Sequence, residues 1–247
     1  MSEPRGGLAL ANDPTTAGPR VAGLLFDLGG TLDADGVGWG ERFAKLLRSE
    51  LPDAKAPVVA AALEAGEQRV LRHPRAALLG LEEMVALHVD AQLGRLGAAE
   101  RARAARLVRT FHEETSATLA RRRPLLARLA KRVRLGVVSN GCGNTERLLE
   151  ECGLTSLLSC VVDSSKVGAW KPDPRIFTPA LSALALAPHE VAMVGDRVDR
   201  DVEGAVAAGL RSVWVCGERH LDSGEPLARR IDRIVASVDA LDPGECE

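Results

Sequence analysis

The sequence predicts an α/β fold: a parallel sheet with helices on both faces, interrupted once by an all-helical insertion. Three observations point to it. Short apolar runs ending in polar residues recur from residue 21 onward, the pattern of strands buried on both faces of a sheet. Helical stretches separate the later runs, and strand–helix alternation implies right-handed parallel crossovers. Between the first and second runs, by contrast, lie roughly 80 residues of helical periodicity with no strand signal.

Taken in order, residues 1–20 contain Pro, Gly, Asp and Thr without a basic-then-apolar signal pattern, and are expected to form a flexible leader. VAGLLFD, Val21 to Asp27, is the first strand, too short for a helix and ending on one acid. Gly29 and Gly30 then give a sharp exit in which backbone can closely approach a ligand. DADGVGWG (33–40) is turn-rich. Helical spacing begins near Glu41 with Phe43, Leu46 and Leu47, and Pro52 and Pro57 punctuate it. Val59, Leu63, Val70 and Leu71 mark a second helix, and Leu81, Met84, Val85, His88 and Val89 a third. Leu107, Val108, Phe111, Thr115 and Leu119 mark a fourth, expected to end before Pro124.

From Pro124 the pattern changes. PLLARLAKR reads as a separate short helix and RLGVVS as the second strand, ending at Ser139-Asn140-Gly141. Asn144 is the expected N-cap of a helix that Gly153 stops. LLSCVVDS holds the third strand, a helix spans Pro174 to Leu186, and EVAMVG is the fourth strand with Asp196 at its tip. VEGAVAAGL is helical, SVWVC is the fifth strand and RIVAS a short sixth. The expected division is therefore a sheet domain of residues 21–36 and 123–247 with a helical insertion of residues 37–122.

At 247 residues the chain can bury a substantial core. A net charge of -2 gives no electrostatic case for nucleic acid or an anionic membrane. No apolar run approaches the roughly 20 residues of a membrane helix. The five cysteines, Cys142, Cys152, Cys160, Cys216 and Cys246, are scattered without a CxxC pair. That argues against a disulfide framework or a structural zinc site and fits a reducing cytoplasm. A soluble cytoplasmic protein, monomeric or homodimeric, is expected.

Four features at strand ends or in crossover loops are chemically complementary. Asp27 is a carboxylate at a strand tip, where open α/β sheets place their chemistry. Ser139-Asn140-Gly141 offers a hydroxyl, an amide and backbone N–H groups just before a helix, an oxyanion-binding arrangement. Lys171, in GAWKPDP, is a cation in a loop stiffened by Pro172 and Pro174. GDRVDRD puts Asp196, Asp199 and Asp201 in one short turn, and gathered carboxylates repel unless a hard divalent cation such as Mg²⁺ intervenes. Singly, each has an ordinary reading as a turn, a solvated loop or an acidic helix start. All four in order, each at such a position, point to one site.

The ordered set DLGGTL, SNG, KPDPRIF and GDRVDRD followed by GAVAAGL resembles the haloacid dehalogenase superfamily of phosphohydrolases, over about residues 20 to 240. The helical insertion after the first motif resembles the helical C1-type cap of its subfamily I, which closes over small-molecule substrates. The resemblance implies a Rossmann-like sheet and Mg²⁺-dependent hydrolysis of a small phosphorylated substrate. It implies Asp27 as the nucleophile that forms an aspartyl-phosphate, and Ser139, Asn140 and Lys171 as phosphate-binding groups. It also implies Asp27, Asp196 and the Gly29 carbonyl as metal ligands, with Asp201 acting through water or by positioning Lys171. The chemistry is self-consistent, since a carboxylate needs a cation beside it to approach a phosphate dianion.

One position departs from the pattern. Phosphatases of the superfamily usually carry a second Asp two residues after the nucleophile, whose side chain protonates the leaving oxygen; here it is Gly29. General acid help is worth about 10²–10⁴-fold. Three readings are open: a phosphatase acting on a good leaving group or using another acid, a dehalogenase-like or phosphonatase-like hydrolase, and a weakly active or non-catalytic phospho-ligand-binding member. Asp33, Asp35, His112, Glu113 and Glu114 are available as substitute acids, although each also reads as an ordinary polar residue. A phosphonatase needs a cap lysine, and Lys45 and Lys55 are not compellingly placed. The intact Asp196 and Asp201 favour metal-dependent phosphoryl chemistry. Of the remaining candidates, the arginines of 101–109 and 121–123 read as a solvated helix face, and His88 as a packed histidine. Trp39 and Trp170 read as packing or anchoring residues, and Cys142 takes no role.

Overall fold

The computed structural model describes residues 8–10, 20–219 and 230–242. Its strands are β1 (Leu8–Ala9), β2 (Arg20–Val21), β3 (Gly23–Phe26), β4 (Arg134–Ser139), β5 (Cys160–Asp163), β6 (Val191–Gly195), β7 (Arg211–Val215) and β8 (Arg233–Val235). The last six form one sheet in the order β5-β4-β3-β6-β7-β8, parallel throughout. Each corresponds to one of the apolar runs. β3 lies centrally with β4 on one side and β6 on the other, so the chain reverses its winding direction there. Loops leaving these three strands diverge and open a crevice over the carboxyl edge of the sheet.

The helices are α1 (Trp39–Glu50), α2 (Ala56–Leu71), α3 (Leu81–Arg95), α4 (Arg101–Ala130), α5 (Thr145–Glu151), α6 (Ser164–Val167), α7 (Thr178–Leu184) and α8 (Glu203–Ala207). Alternation along β3 and β4 sends Leu24, Phe26, Leu135 and Val137 to one face, against Leu126 and Leu129 of α4. Leu25 and Val138 go to the other, against Ile176, Phe177 and the Ala180 and Leu184 of α7. Among the described residues no helix is long and apolar enough to cross a membrane.

Two local expectations are corrected. The fourth helix does not stop before Pro124: α4 runs unbroken through it. An interior proline costs about 3 kcal/mol. Against that, Leu119, Leu125, Leu126 and Leu129 are all buried, and full burial of a leucine contributes roughly 1.5–3 kcal/mol. Continuous packing therefore outweighs the missing N–H. Arg122, with no exposed surface, pairs there with Asp35 of the outgoing loop and Asp239 of the C-terminal turn. Secondly, Asn144 occupies the expected N-cap position of α5, but its side chain makes no capping bond. Its Nδ2 donates to the Leu79 carbonyl at 3.0 Å, and Asp163 instead accepts from the Thr145 N–H at 3.3 Å.

The helical insertion is tied to the sheet domain at this point. The Leu81 N–H, at the start of α3, donates to Glu151 of α5 at 3.0 Å. Of the segment read as a leader, Leu8 and Ala9 pair antiparallel with Val21 and Arg20, and Leu8 and Leu10 are buried in the core. Residues 1–7 and 11–19, and Cys246, lie outside the described residues.

Candidate active site

Asp27 directly follows β3, its backbone N–H held by the Val194 carbonyl of β6 at 2.9 Å. It is 7% exposed. Lys171 reaches it from the loop after α6, with Nζ 2.6 Å from Asp27 Oδ1 and 2.7 Å from Asp201 Oδ1. Asn140 positions that lysine: its Oδ1 accepts from the Lys171 N–H at 2.8 Å and its Nδ2 donates to the Lys171 carbonyl at 3.0 Å. The Asn140 amide is therefore occupied as a clamp on Lys171. Ser139, buried at the end of β4, borders the same cavity.

Asp196, at the tip of β6, accepts from the Thr31 hydroxyl at 3.2 Å, and the Arg219 guanidinium lies 3.7 Å from its Oδ2. Two glycines make these approaches possible. A Cβ on Gly30, whose φ is +96°, would stand 2.8 Å from both Asp196 carboxylate oxygens, and one on Gly195 would stand 2.2 Å from Asp201. Asp201 also accepts from the Arg197 N–H at 2.9 Å. The third acid of that turn separates from the other two. Asp199 is exposed and pairs with Arg197 at 2.7 Å, which holds its carboxyl below the usual range. The gathered carboxylates are Asp27, Asp196 and Asp201, with ligand oxygens within 4.8 Å of one another.

Crowding and burial dominate the electrostatics. Burial pushes the Asp27 carboxyl up to about 7, with Asp201 and Asp196 adding to the rise and Lys171 opposing it. Burial and the charge of Asp201 raise Asp196 to about 6. Burial alone would depress the Lys171 ammonium, but Asp201 and Asp27 outweigh it and hold it above the ordinary lysine value. Three buried carboxylates, with Lys171 alone among them and Arg219 at the edge, leave an excess of negative charge in an all-oxygen donor set. That is the environment a hard divalent cation fits.

The site floors a cavity of about 720 Å³ between the sheet edge and α1–α3. Its wall beside the nucleophile is Trp39, the first residue of α1. A Cβ at Gly29 would lie 3.3 Å from Trp39 Cδ1 and 3.4 Å from its Nε1, so the indole stands where a side chain at 29 would go. Trp39 Nε1 donates to Asp33 Oδ2 at 2.5 Å, and Asp33 also accepts from Gly30 N at 2.6 Å and Arg42 at 3.3 Å. Phe111 packs edge-on against Trp39 with centroids 4.9 Å apart.

None of the five substitute acids considered from sequence borders this cavity. Asp33 is sealed behind Trp39, Asp35 is paired with Arg122, and Glu113 and Glu114 are exposed on α4. Nor do Lys45, Lys55 and Trp170 border it. Cys142 is half-buried, burial pushes its thiol up, and nothing activates it. The residues that sequence reasoning passed over are Gln92, Glu64, Glu67 and Arg219, all on the lining. His88 is packed as expected, against Trp39 and Phe43, but it too faces the cavity. A glutamine one turn after His88, within an otherwise apolar stripe, was the available signal.

The family model for haloacid dehalogenase-like hydrolases matches residues 21–209. The chain is 42% identical over 141 residues to the phosphoserine phosphatase of Thermus thermophilus, an alignment covering 53% of each protein. It thus spans about half the length of that curated relative. Among solved structures, the magnesium-bound HAD-hydrolase YfnB of Bacillus subtilis superposes with a TM-score of 0.54 at 18% identity, covering 90% of this chain and 97% of the other. L-2-haloacid dehalogenase from Xanthobacter autotrophicus gives 0.54 at 19% identity, covering 90% and 97%. At such identities the likeness is one of fold.

Proposed function

Because the chain belongs to the haloacid dehalogenase-like hydrolases, we propose that it is a Mg²⁺-dependent phosphohydrolase acting on a small phosphorylated metabolite through an aspartyl-phosphate on Asp27. The observation that carries this reading is the Asp27–Lys171 ion pair, 2.6 Å long and buried at the floor of the cavity. A carboxylate meets a phosphate dianion only where positive charge is already in place, and Lys171 supplies it at no cost of reorganisation.

In this reading a phosphoryl group lies against Lys171, with the Ser139 hydroxyl and the backbone N–H groups of Asn140 and Gly141 on its oxygens. An Asp27 carboxylate oxygen forms a bond to phosphorus while the bond to the leaving oxygen breaks, its electron pair going to that oxygen. Water then attacks the phosphorus of the aspartyl-phosphate, releasing phosphate and restoring the carboxylate. Asp27, Asp196 and the Gly29 carbonyl would hold Mg²⁺, with Asp201 keeping Lys171 in position. Bound there, the ion neutralises negative charge shared by the phosphate and carboxylates. Because Trp39 rather than a carboxyl borders Gly29, departure is easiest for an oxygen already stable as an anion, as in acyl, anomeric or aryl phosphates.

The test is release of phosphate from 4-nitrophenyl phosphate by the purified chain with Mg²⁺, and its loss in Asp27→Asn. Turnover that survives Asp27→Asn would refute the nucleophile. No turnover across a phosphate-ester panel, with phospho-ligand binding intact, would favour a binding protein instead.

A further inference from the structure

The insertion side of the cavity carries polar atoms that the chain leaves unsatisfied. Gln92 and His88 stand one turn apart on α3, on the face that borders the cavity. Gln92 is 1% exposed, yet neither its Oε1 nor its Nε2 has a hydrogen-bond partner, and His88 Nδ1 has none either. Buried polar side chains are ordinarily satisfied, and orphans cost stability. The neighbouring buried positions of this helix, Val85, Val89 and Leu93, are all apolar, so packing alone gives no reason for an amide at 92.

The facing helix lies close against these atoms at a glycine. A Cβ on Gly66 of α2 would stand 3.0 Å from both His88 Nδ1 and Gln92 Nε2. The charge around the cavity is also divided. Its acidic side chains from the insertion are Glu41, Glu64 and Glu67, whereas Lys171 and three arginines come from the sheet side. A second anionic group on a substrate would therefore meet no cation at the α2–α3 end.

We propose that His88 and Gln92 form the subsite for the departing part of the substrate, and that it takes a neutral, hydroxyl-bearing group such as a polyol or sugar. A carboxamide offers N–H donors and a carbonyl acceptor, both of which a hydroxyl can pair with. Burial holds the His88 imidazole down at about 4, so it is neutral and able to donate or accept as well. Trp39, whose ring centroid lies 6.0 Å from that of His88 and which lines the same cavity, gives an apolar wall for carbon-bound hydrogens. The proposal rests on the phosphohydrolase reading above.

The experiment uses the full chain with Mg²⁺ and three kinds of ester. Glycerol 3-phosphate, glucose 1-phosphate and ribose 5-phosphate are hydroxylated; phosphoglycolate carries a carboxylate; cyclohexyl phosphate has neither. The best kcat/KM is expected in the hydroxylated group, about tenfold or more above cyclohexyl phosphate. Gln92→Leu should shrink that preference about tenfold while raising the ligand-free Tm, because it removes orphaned polar atoms. Gly66→Ala, which favours helix, should shrink it too, because its methyl would press 3.0 Å from His88 Nδ1 and Gln92 Nε2 and shift both side chains. Preference for phosphoglycolate, a preference unchanged in Gln92→Leu, or a lower Tm in that variant would each overturn the subsite. If 4-nitrophenyl phosphate is not hydrolysed at all, the phosphohydrolase reading fails separately, and calorimetric binding of the same esters to wild type and Gln92→Leu decides the subsite.

Discussion

Placing an aspartate at position 29 would put a carboxyl where a proton donor is useful, but the space around that position is already taken. The Cβ of Gly29→Asp would stand 3.3 Å from Trp39 Cδ1 and 3.4 Å from Nε1. The carboxyl carbon lies about 1.5 Å farther out, so it either displaces the indole or turns away from the cavity. Displacement breaks the Trp39–Asp33 hydrogen bond, worth about 1.5–3 kcal/mol for a charged acceptor. It also loses the edge contact with Phe111, worth about 0.5–1.5 kcal/mol. The sum of about 2–4.5 kcal/mol corresponds to a Tm lower by roughly 4–18 °C in a domain of this size. Gly29→Asp alone should therefore lower Tm without speeding alkyl phosphate hydrolysis. The double variant Gly29→Asp/Trp39→Ala makes room for the carboxyl, and should raise kcat/KM for an alkyl over an aryl phosphate by about tenfold or more. Thermal denaturation and a two-substrate assay read both effects. A single Gly29→Asp variant with wild-type Tm and a hundredfold gain on alkyl esters would refute the occupancy of that space by Trp39.

The buried charges set two further outcomes. Lys171→Met strands Asp27 and Asp201 without their shared cation, so a loss of about 3–5 kcal/mol is expected in denaturant unfolding, partly recovered by Mg²⁺, together with loss of phosphate release; a loss below about 1 kcal/mol would show the pair to be solvated. Asp27 and Asp196 titrate in the fold near 7 and 6 against 3.8 for the free side chain. Their metal-free contribution is thus fully present below about pH 4 and is lost as pH rises through 6 to 7. Mg²⁺ needs the ionised forms, so its Tm increment should be larger at pH 8 than at pH 5 and should vanish on chelation. Equal increments at the two pH values would remove these two carboxylates from the metal site.

Where local chemistry decides, the sequence is readable. Every strand of the sheet is visible as a short apolar run, and along β3, β4, β6 and β7 burial on both faces leaves no polar alternation to confuse it. Asp27, Lys171 and Asp196 can be located because strand tips and proline-stiffened loops are local features. What escapes depends on rotation and distance. Asp199 and Asp201 are two residues apart, yet one faces the cluster and the other solvent, and spacing alone does not settle which. Pro124 has a strong local preference that packing on both sides of it overrides. The motif points to the backbone at Asn140, but nothing local shows that its side chain holds Lys171, a partner 31 residues away. The role of Trp39 needs the glycine and the indole to be seen together, since neither is informative alone.

The unbroken α4 has a mechanical consequence. At 30 residues it is a rod about 45 Å long, anchored at one end under the sheet and carrying the helical insertion at the other. Its most secure residue, Arg122, stands two positions before Pro124, where one backbone hydrogen bond is missing, so the rod is held most firmly next to the place where it bends most easily. A tilt of about 10° there carries Leu107 through about 4 Å, comparable to the width of a phosphate. Opposite this fulcrum the insertion is secured by the Leu81–Glu151 and Leu79–Asn144 hydrogen bonds. Such a tilt would strain those two bonds together with the Trp39 and Arg42 contacts to Asp33.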